Sequence, residues 1–253
     1  MTTMYCFGIS LPRFRERHAY LTRHLAAVWG PHCEITGYEG PVPDPNAPFQ
    51  PDLTAGQIGC ALSHMSAYER MIALDLPHAL IVEDDVVLPP QIHQIVAGIE
   101  AALRPGDVVL LFNWAETVGA FSSVGAVTVG EHRLCLPMDM SSLGTAAAYV
   151  ITRAAAEGIL RANRPVAVTS DNWSYFFERG ALTRGRALVP NAVSRQPFES
   201  TIFTSRSRIA AFLKGSALLR PLFTARRRIL AARLAAKMTF VDETSPLAGQ
   251  APR

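Results

Sequence analysis

Three adjacent carboxylates, Glu83-Asp84-Asp85, sit between the apolar runs Leu80-Ile81-Val82 and Val86-Val87-Leu88. Like charges packed beside apolar strands repel one another and lose hydration. A bound divalent cation offsets both costs, and carboxylate oxygens suit the hard ions Mg²⁺ and Mn²⁺. On an extended backbone Glu83 and Asp85 point to one face and Asp84 to the other. The expected division is therefore metal for Glu83 and Asp85, while Asp84 reaches a ribose, supports the loop or contacts the metal as well. The same triplet also fits a solvated turn. The apolar flanks instead suggest a strand end that opens on a cleft, where open α/β sheets bind ligands.

Other residues have suitable chemistry nearby. His64 lies on the predicted helix before the triplet, beside the small residues Gly56, Gly59, Cys60 and Ser63, and is either a structural hydrogen-bonding group or a donor contact. Cys60 reads as packing. Arg13 and Arg17 are of the type that pairs with phosphate, although helix arginines are also commonly solvated. Asp171, in Thr169-Ser170-Asp171-Asn172, is a candidate carboxylate base and equally a candidate helix N-cap.

The elements that must position these groups follow from periodicity. Met4–Leu11 predicts a strand and Arg13–Trp29 a helix, stopped by Gly30-Pro31. Cys33–Tyr38 is a weaker strand, and 40–51, with five prolines, an irregular loop. Gly56–Leu76 predicts a helix, Ala79–Leu88 a strand, Gln91–Leu103 a helix and Asp107–Trp114 a buried strand. Val124–Leu136 holds two short strands joined near Gly130-Glu131. Thr145–Ile151 is a strand, Arg153–Ala162 a helix, Asp171–Arg179 a helix and Ala187–Val193 a last strand. This alternation predicts an α/β fold with a mostly parallel central sheet.

At 253 residues and 49% hydrophobic composition, the chain can bury a full core. Its charge is unevenly placed. The whole chain carries +3, and the nine cations from Arg206 to Lys237 meet no acidic residue between Glu199 and Asp242, so the remainder carries about −6. Apolar residues alternate with those cations, and Pro221 divides the stretch. Basic amphipathic helices over 206–238, suited to an anionic membrane surface, are expected, with 239–253 frayed. Four dispersed cysteines form no CxxC pair and suggest reduced thiols. No signal-peptide pattern or 18-residue apolar run is present, which predicts a cytoplasmic protein, peripheral on the inner membrane.

Three blocks resemble the bacterial glycosyltransferase family 25, which includes lipooligosaccharide galactosyltransferases and is related to collagen galactosyltransferases. They are Ile9-Ser10-Leu11-Pro12-Arg13 followed by Glu16-Arg17; the run GQIGCALSHMSAYERMIALDLPHALIVEDDVVL over Gly56–Leu88; and Gly144-Thr145 through Arg153, then Asp171 and Pro190. The resemblance implies a single GT-A-like (Rossmann-related) domain over 1–205. It also implies Mn²⁺ or Mg²⁺ held by Glu83 and Asp85, and a UDP-sugar donor contacted by Ser10, Arg13, Arg17, His64 and Asp84. Asp171 is then the base of an inverting transfer, with galactose passing to a saccharide or glycolipid acceptor such as lipooligosaccharide or lipopolysaccharide. No nucleic-acid partner is expected. Two other readings remain: a haloacid-dehalogenase-like phosphatase, in which Glu83 would replace the nucleophilic aspartate, and a non-catalytic membrane- or nucleic-acid-binding module acting through the basic tail.

Overall fold

A computed structural model describes residues 4–42, 53–113 and 121–198. The expected basic helices over 206–238, the frayed end and most of the proline-rich loop lie outside the described residues.

Ten strands and five helices alternate along the described chain. β1 (Tyr5–Ile9), β2 (Cys33–Thr36), β3 (His78–Glu83), β5 (Asp107–Leu110), β6 (Phe121–Val129), β7 (His132–Pro137), β8 (Ala148–Thr152) and β9 (Arg184–Val189) form one sheet in the order β2-β1-β3-β8-β5-β9-β7-β6. β4 (Val86–Val87) pairs with β10 (Ser194–Arg195) in a separate antiparallel ribbon. Following the pairings across the sheet, six strands run one way and β8 and β7 run the other. The central sheet is thus largely parallel, with β8 inserted antiparallel between β3 and β5.

Strand alternation divides the core between the two sheet faces. Ala79 and Ile81 of β3, with Tyr149 and Ile151 of β8, pack beneath α2 (Ala55–Ala73), α4 (Arg153–Ala162) and α5 (Trp173–Glu178). Leu80, Val82 and Val150 face the opposite cluster, to which α1 (Arg15–Val28) brings Leu21 and Leu25 and α3 (Ile92–Glu100) brings Ile92, Ile95 and Ile99. The result is a sheet covered by helices on both faces.

Local signals explain the element ends. Thr54 caps α2: its hydroxyl accepts from Gln57 N at 3.2 Å while the Gln57 side chain accepts from Thr54 N at 2.8 Å. This reciprocal capping box starts the helix one residue before the predicted Gly56. The β6–β7 hairpin turns at Gly130, whose φ of 59° favours glycine, as expected from Gly130-Glu131. The last strand of the sheet, β9, begins at Arg184 rather than Ala187. Arg184 lies opposite Asp107 and Arg186 opposite Val109, and both guanidinium groups reach the Asp107 carboxylate, at 2.7 and 3.0 Å, so charged residues continue the strand into the core.

Candidate active site

β1 and β3 run parallel in a register that sets Ile9 beside Glu83, so Ser10 and the acidic triplet leave the sheet at the same edge. A cavity of about 420 Å³ opens there. Ser10, Arg13 and Arg17 form one wall; Gly56, Gly59, Cys60 and Ser63 of α2 form another; Glu83 and Asp84 lie between them. Small side chains on α2 leave room for a ligand to approach its backbone.

Glu83 has the same strand parity as Ala79 and Ile81, so its side chain faces α2. There its Oε1 lies 3.4 Å from Nε2 of His64. Cys60 and His64 are four residues apart and therefore share a helix face; together with Glu83 they offer three ligand atoms within 4.8 Å of one another. His64 is 1% exposed, its Nδ1 lies 2.8 Å from the Tyr149 hydroxyl, and that hydroxyl lies 2.6 Å from the Tyr68 hydroxyl. Among the described residues its Nε2 finds no well-formed hydrogen bond. Burial disfavours the His64 cation, but Cys60 and Glu83 outweigh burial and push its pKa up to about 10. Burial likewise acts to raise the Glu83 pKa, yet His64, Arg195 and Arg17 bring it below the usual glutamate value.

Asp84 leans toward α1. Its Oδ1 accepts from Arg17 Nε at 2.8 Å and Nη2 at 2.5 Å, and its Oδ2 accepts from the Ser10 hydroxyl at 3.2 Å. Burial, with the neighbouring Asp85 charge, still pushes its pKa above the usual aspartate value against the pull of Arg17 and Ser10.

Asp85 departs from the expected geometry. The strand ends at Glu83, so the alternation that would return Asp85 to the Glu83 face does not continue. Asp85 instead turns to the β4–β10 ribbon, where both its oxygens accept from Arg195, Nε at 3.0 Å and Nη2 closer still, and Oδ2 also lies 3.3 Å from Arg17 Nη2. Its side chain is 2% exposed and does not line the cavity. The structure therefore brings Glu83 and Asp84, not Glu83 and Asp85, to one cavity.

The remaining expectations fall as follows. Arg13 lines the cavity and lies over the Phe14 ring. Arg17 is committed to Asp84 and Asp85 and stacks on Phe198. Asp171 is exposed and is not the cap of α5; Asn172 is, its Oδ1 accepting from Tyr175 N at 3.2 Å. The adjacent Ser170 hydroxyl lies 3.6 Å from Cys60 Sγ, which sets this loop against the cavity wall. Sequence reasoning missed Arg195, which lies on a two-residue strand with no periodic signal. It also read Cys60 as packing, although Cys60 lines the cavity.

The family model described as "Glycosyltransferase family 25 (LPS biosynthesis protein)" matches residues 46–174, about half the chain. Two curated proteins, each named "Glycosyltransferase 25 family member", align with it. One is from Anopheles gambiae, 38% identical over 52 residues, and one from Aedes aegypti, 36% identical over 61 residues. The alignments cover 21% and 24% of this chain but 9% and 10% of the insect proteins, so it spans about a tenth of their length. Among solved structures, mannose-1-phosphate geranyltransferase from Thermus thermophilus superposes with a TM-score of 0.40 at 11% identity, covering 77% of this chain and 76% of that one.

Proposed function

The chain belongs to glycosyltransferase family 25, and on that premise we propose that its cavity binds a UDP-sugar and transfers the sugar to a saccharide hydroxyl. The observation that carries this reading is the delivery of Glu83 and Asp84 into one cavity opposite the small-residue face of α2, with Arg13 at its wall. The six co-directional strands with β8 reversed among them are in keeping with a GT-A-like domain.

A hard cation fits the residues that face this cavity. The Glu83 carboxylate is met by His64 Nε2 at 3.4 Å, and Asp84 Oδ2 accepts from the Ser10 hydroxyl. A carboxylate oxygen has two lone-pair sites, so Glu83 and Asp84 would hold Mn²⁺ or Mg²⁺, while Asp85 is retained by Arg195. When bound, such an ion stabilises the charge that develops on the departing diphosphate.

The protein's own groups supply the rest. Arg17 and Ser10 fix the Asp84 carboxylate, and His64 sets the position of Glu83. Arg13 offers the donor phosphates a guanidinium. Asp171 stands exposed and free of a capping role, available to accept the proton of an acceptor hydroxyl that enters from solvent. Galactose as the transferred sugar, a lipooligosaccharide or lipopolysaccharide acceptor and a cytoplasmic membrane surface are the finer terms of the proposal, with inversion at the anomeric carbon.

The test is a screen of UDP-sugars for UDP release by the full chain, with and without a saccharide acceptor, in Mn²⁺ or in EDTA. Release from one donor, suppressed by EDTA and by Glu83→Gln, is expected. If no donor is consumed under any condition, the transfer reading fails. Release indifferent to EDTA removes the metal from it.

A further inference from the structure

The contact between His64 and Glu83 is long for a charge-assisted hydrogen bond. Charge-assisted N–H···O bonds are about 2.7–2.9 Å long, yet Nε2 and Oε1 stand 3.4 Å apart, and among the described residues the buried Nε2 finds no well-formed hydrogen bond. Two ligands of one tetrahedral ion behave differently. Bonds of about 2.0–2.3 Å to nitrogen, oxygen and sulfur set donor atoms roughly 3.3–3.7 Å apart. The observed separation falls in that range, and Cys60 Sγ completes a three-donor group within 4.8 Å.

We propose that Cys60, His64 and Glu83 form a binding site for a zinc-class divalent cation. The donor set of thiolate, imidazole and carboxylate favours a borderline-soft ion over Mg²⁺ or Mn²⁺. Two of its donors are anionic when coordinated, which balances the ion's charge. The surroundings of His64 match those of a metal-binding imidazole. Such a histidine directs its second nitrogen at an oxygen that fixes the ring, and Nδ1 lies 2.8 Å from the Tyr149 hydroxyl, itself held by Tyr68. Cys60 and Glu83 both line the cavity, so the fourth coordination position faces open space where water or a ligand completes the shell. Coordination releases the protons of the thiol and imidazole to solvent.

The site stands on side-chain geometry and holds whether or not the cavity transfers sugar. Glu83 belongs both to this site and to the proposed hard-cation site, so the two sites share that carboxylate.

The experiment is a titration of the reduced, metal-free full chain with Co²⁺, the visible and near-ultraviolet probe of zinc sites, in the absence of any nucleotide. One ion per chain is expected, with a thiolate-to-cobalt charge-transfer band that Zn²⁺ abolishes by competition. The band should vanish in Cys60→Ser and persist in Cys33→Ser, whose thiol lies on β2. Tyr149→Phe should weaken binding by about 10-fold, the effect of losing an outer-shell partner. A second measurement needs no variant: Zn²⁺ should protect Cys60 of the wild-type chain from iodoacetamide and leave Cys33 labelling unchanged. Absence of the charge-transfer band, its persistence in Cys60→Ser, or unprotected Cys60 overturns the proposal. None of these readouts depends on sugar transfer, so a negative result here and an inactive donor screen are separable.

Discussion

Replacing Asp85 by asparagine separates a structural carboxylate from a metal ligand. The side chain is 2% exposed and receives two charged hydrogen bonds from Arg195 and a longer contact from Arg17. Asp85→Asn keeps the volume but removes the charge and turns one acceptor into a donor facing a guanidinium. Breaking a buried ion pair costs about 3–5 kcal/mol. Here the arginine side chains retain 23% and 17% exposure, and Arg17 keeps its bonds to Asp84, so the lower end applies. A loss of ~3 kcal/mol lowers Tm by about 6–12 °C for a chain of this size. Thermal unfolding followed by far-ultraviolet circular dichroism, in EDTA, is the assay. A metal ligand would behave oppositely: in EDTA its carboxylates repel, and removing one charge would leave Tm unchanged or raised. A Tm in EDTA within about 2 °C of wild type would refute the assignment of Asp85 to Arg195.

Three further outcomes are expected. Gly158→Ala should cost about 1–3 kcal/mol or more, since a Cβ on α4 would meet the Ala181 carbonyl oxygen at 2.3 Å, a backbone atom that cannot swing aside; an unchanged denaturant midpoint would contradict it. The His64 pKa is raised from 6.5 to about 10 by Cys60 and Glu83 against burial, so its stabilisation is complete below pH 6.5 and is lost as pH climbs toward 10. That stabilisation is at most ~5 kcal/mol, and wild type should lose more stability than His64→Gln between pH 6.5 and 10, whereas parallel profiles would show no linkage. Asp171→Asn should reduce sugar transfer by at least ~100-fold while nucleotide binding, read by calorimetry, persists; near-normal turnover would end its role as base.

Much of this arrangement was legible because it obeys short-range periodicities. The apolar runs around the triplet identified β3, and strand parity correctly opposed Glu83 to Asp84, one toward α2 and the other toward Arg17 of α1. Parity misled only where the strand stopped. Asp85 takes its direction from Arg195, which arrives 110 residues later on a strand too short to show a pattern. Arg184 and Arg186 were obscured for a related reason. A charged residue in a buried strand is intelligible only once its partner is known, and Asp107 is a neighbour in the sheet, not in sequence. The cap of α5 failed differently: Asp171 and Asn172 are both good capping residues, and only the backbone path selects Asn172.

The charges of the cluster bear on how a donor would enter. Glu83, Asp84 and Asp85 face His64, Arg17 and Arg195, three anions against three cations with His64 protonated near neutrality. The triplet is therefore not a bare sink for cations, as its sequence suggested. A hard divalent ion held by Glu83 and Asp84 displaces no proton, so arriving alone it would add charge to a balanced group, and a diphosphate alone would add the opposite. On the proposed function, ion and diphosphate offset each other, so each should strengthen binding of the other. Such reciprocal coupling typically amounts to about 1–3 kcal/mol, or 5–150-fold in affinity. Calorimetric titration of UDP with and without Mn²⁺, and of Mn²⁺ with and without UDP, must return the same factor on both arms. A factor of one would mean that the cavity discharges its phosphate load onto Arg13 and leaves the carboxylates to their present partners, Arg17 among them.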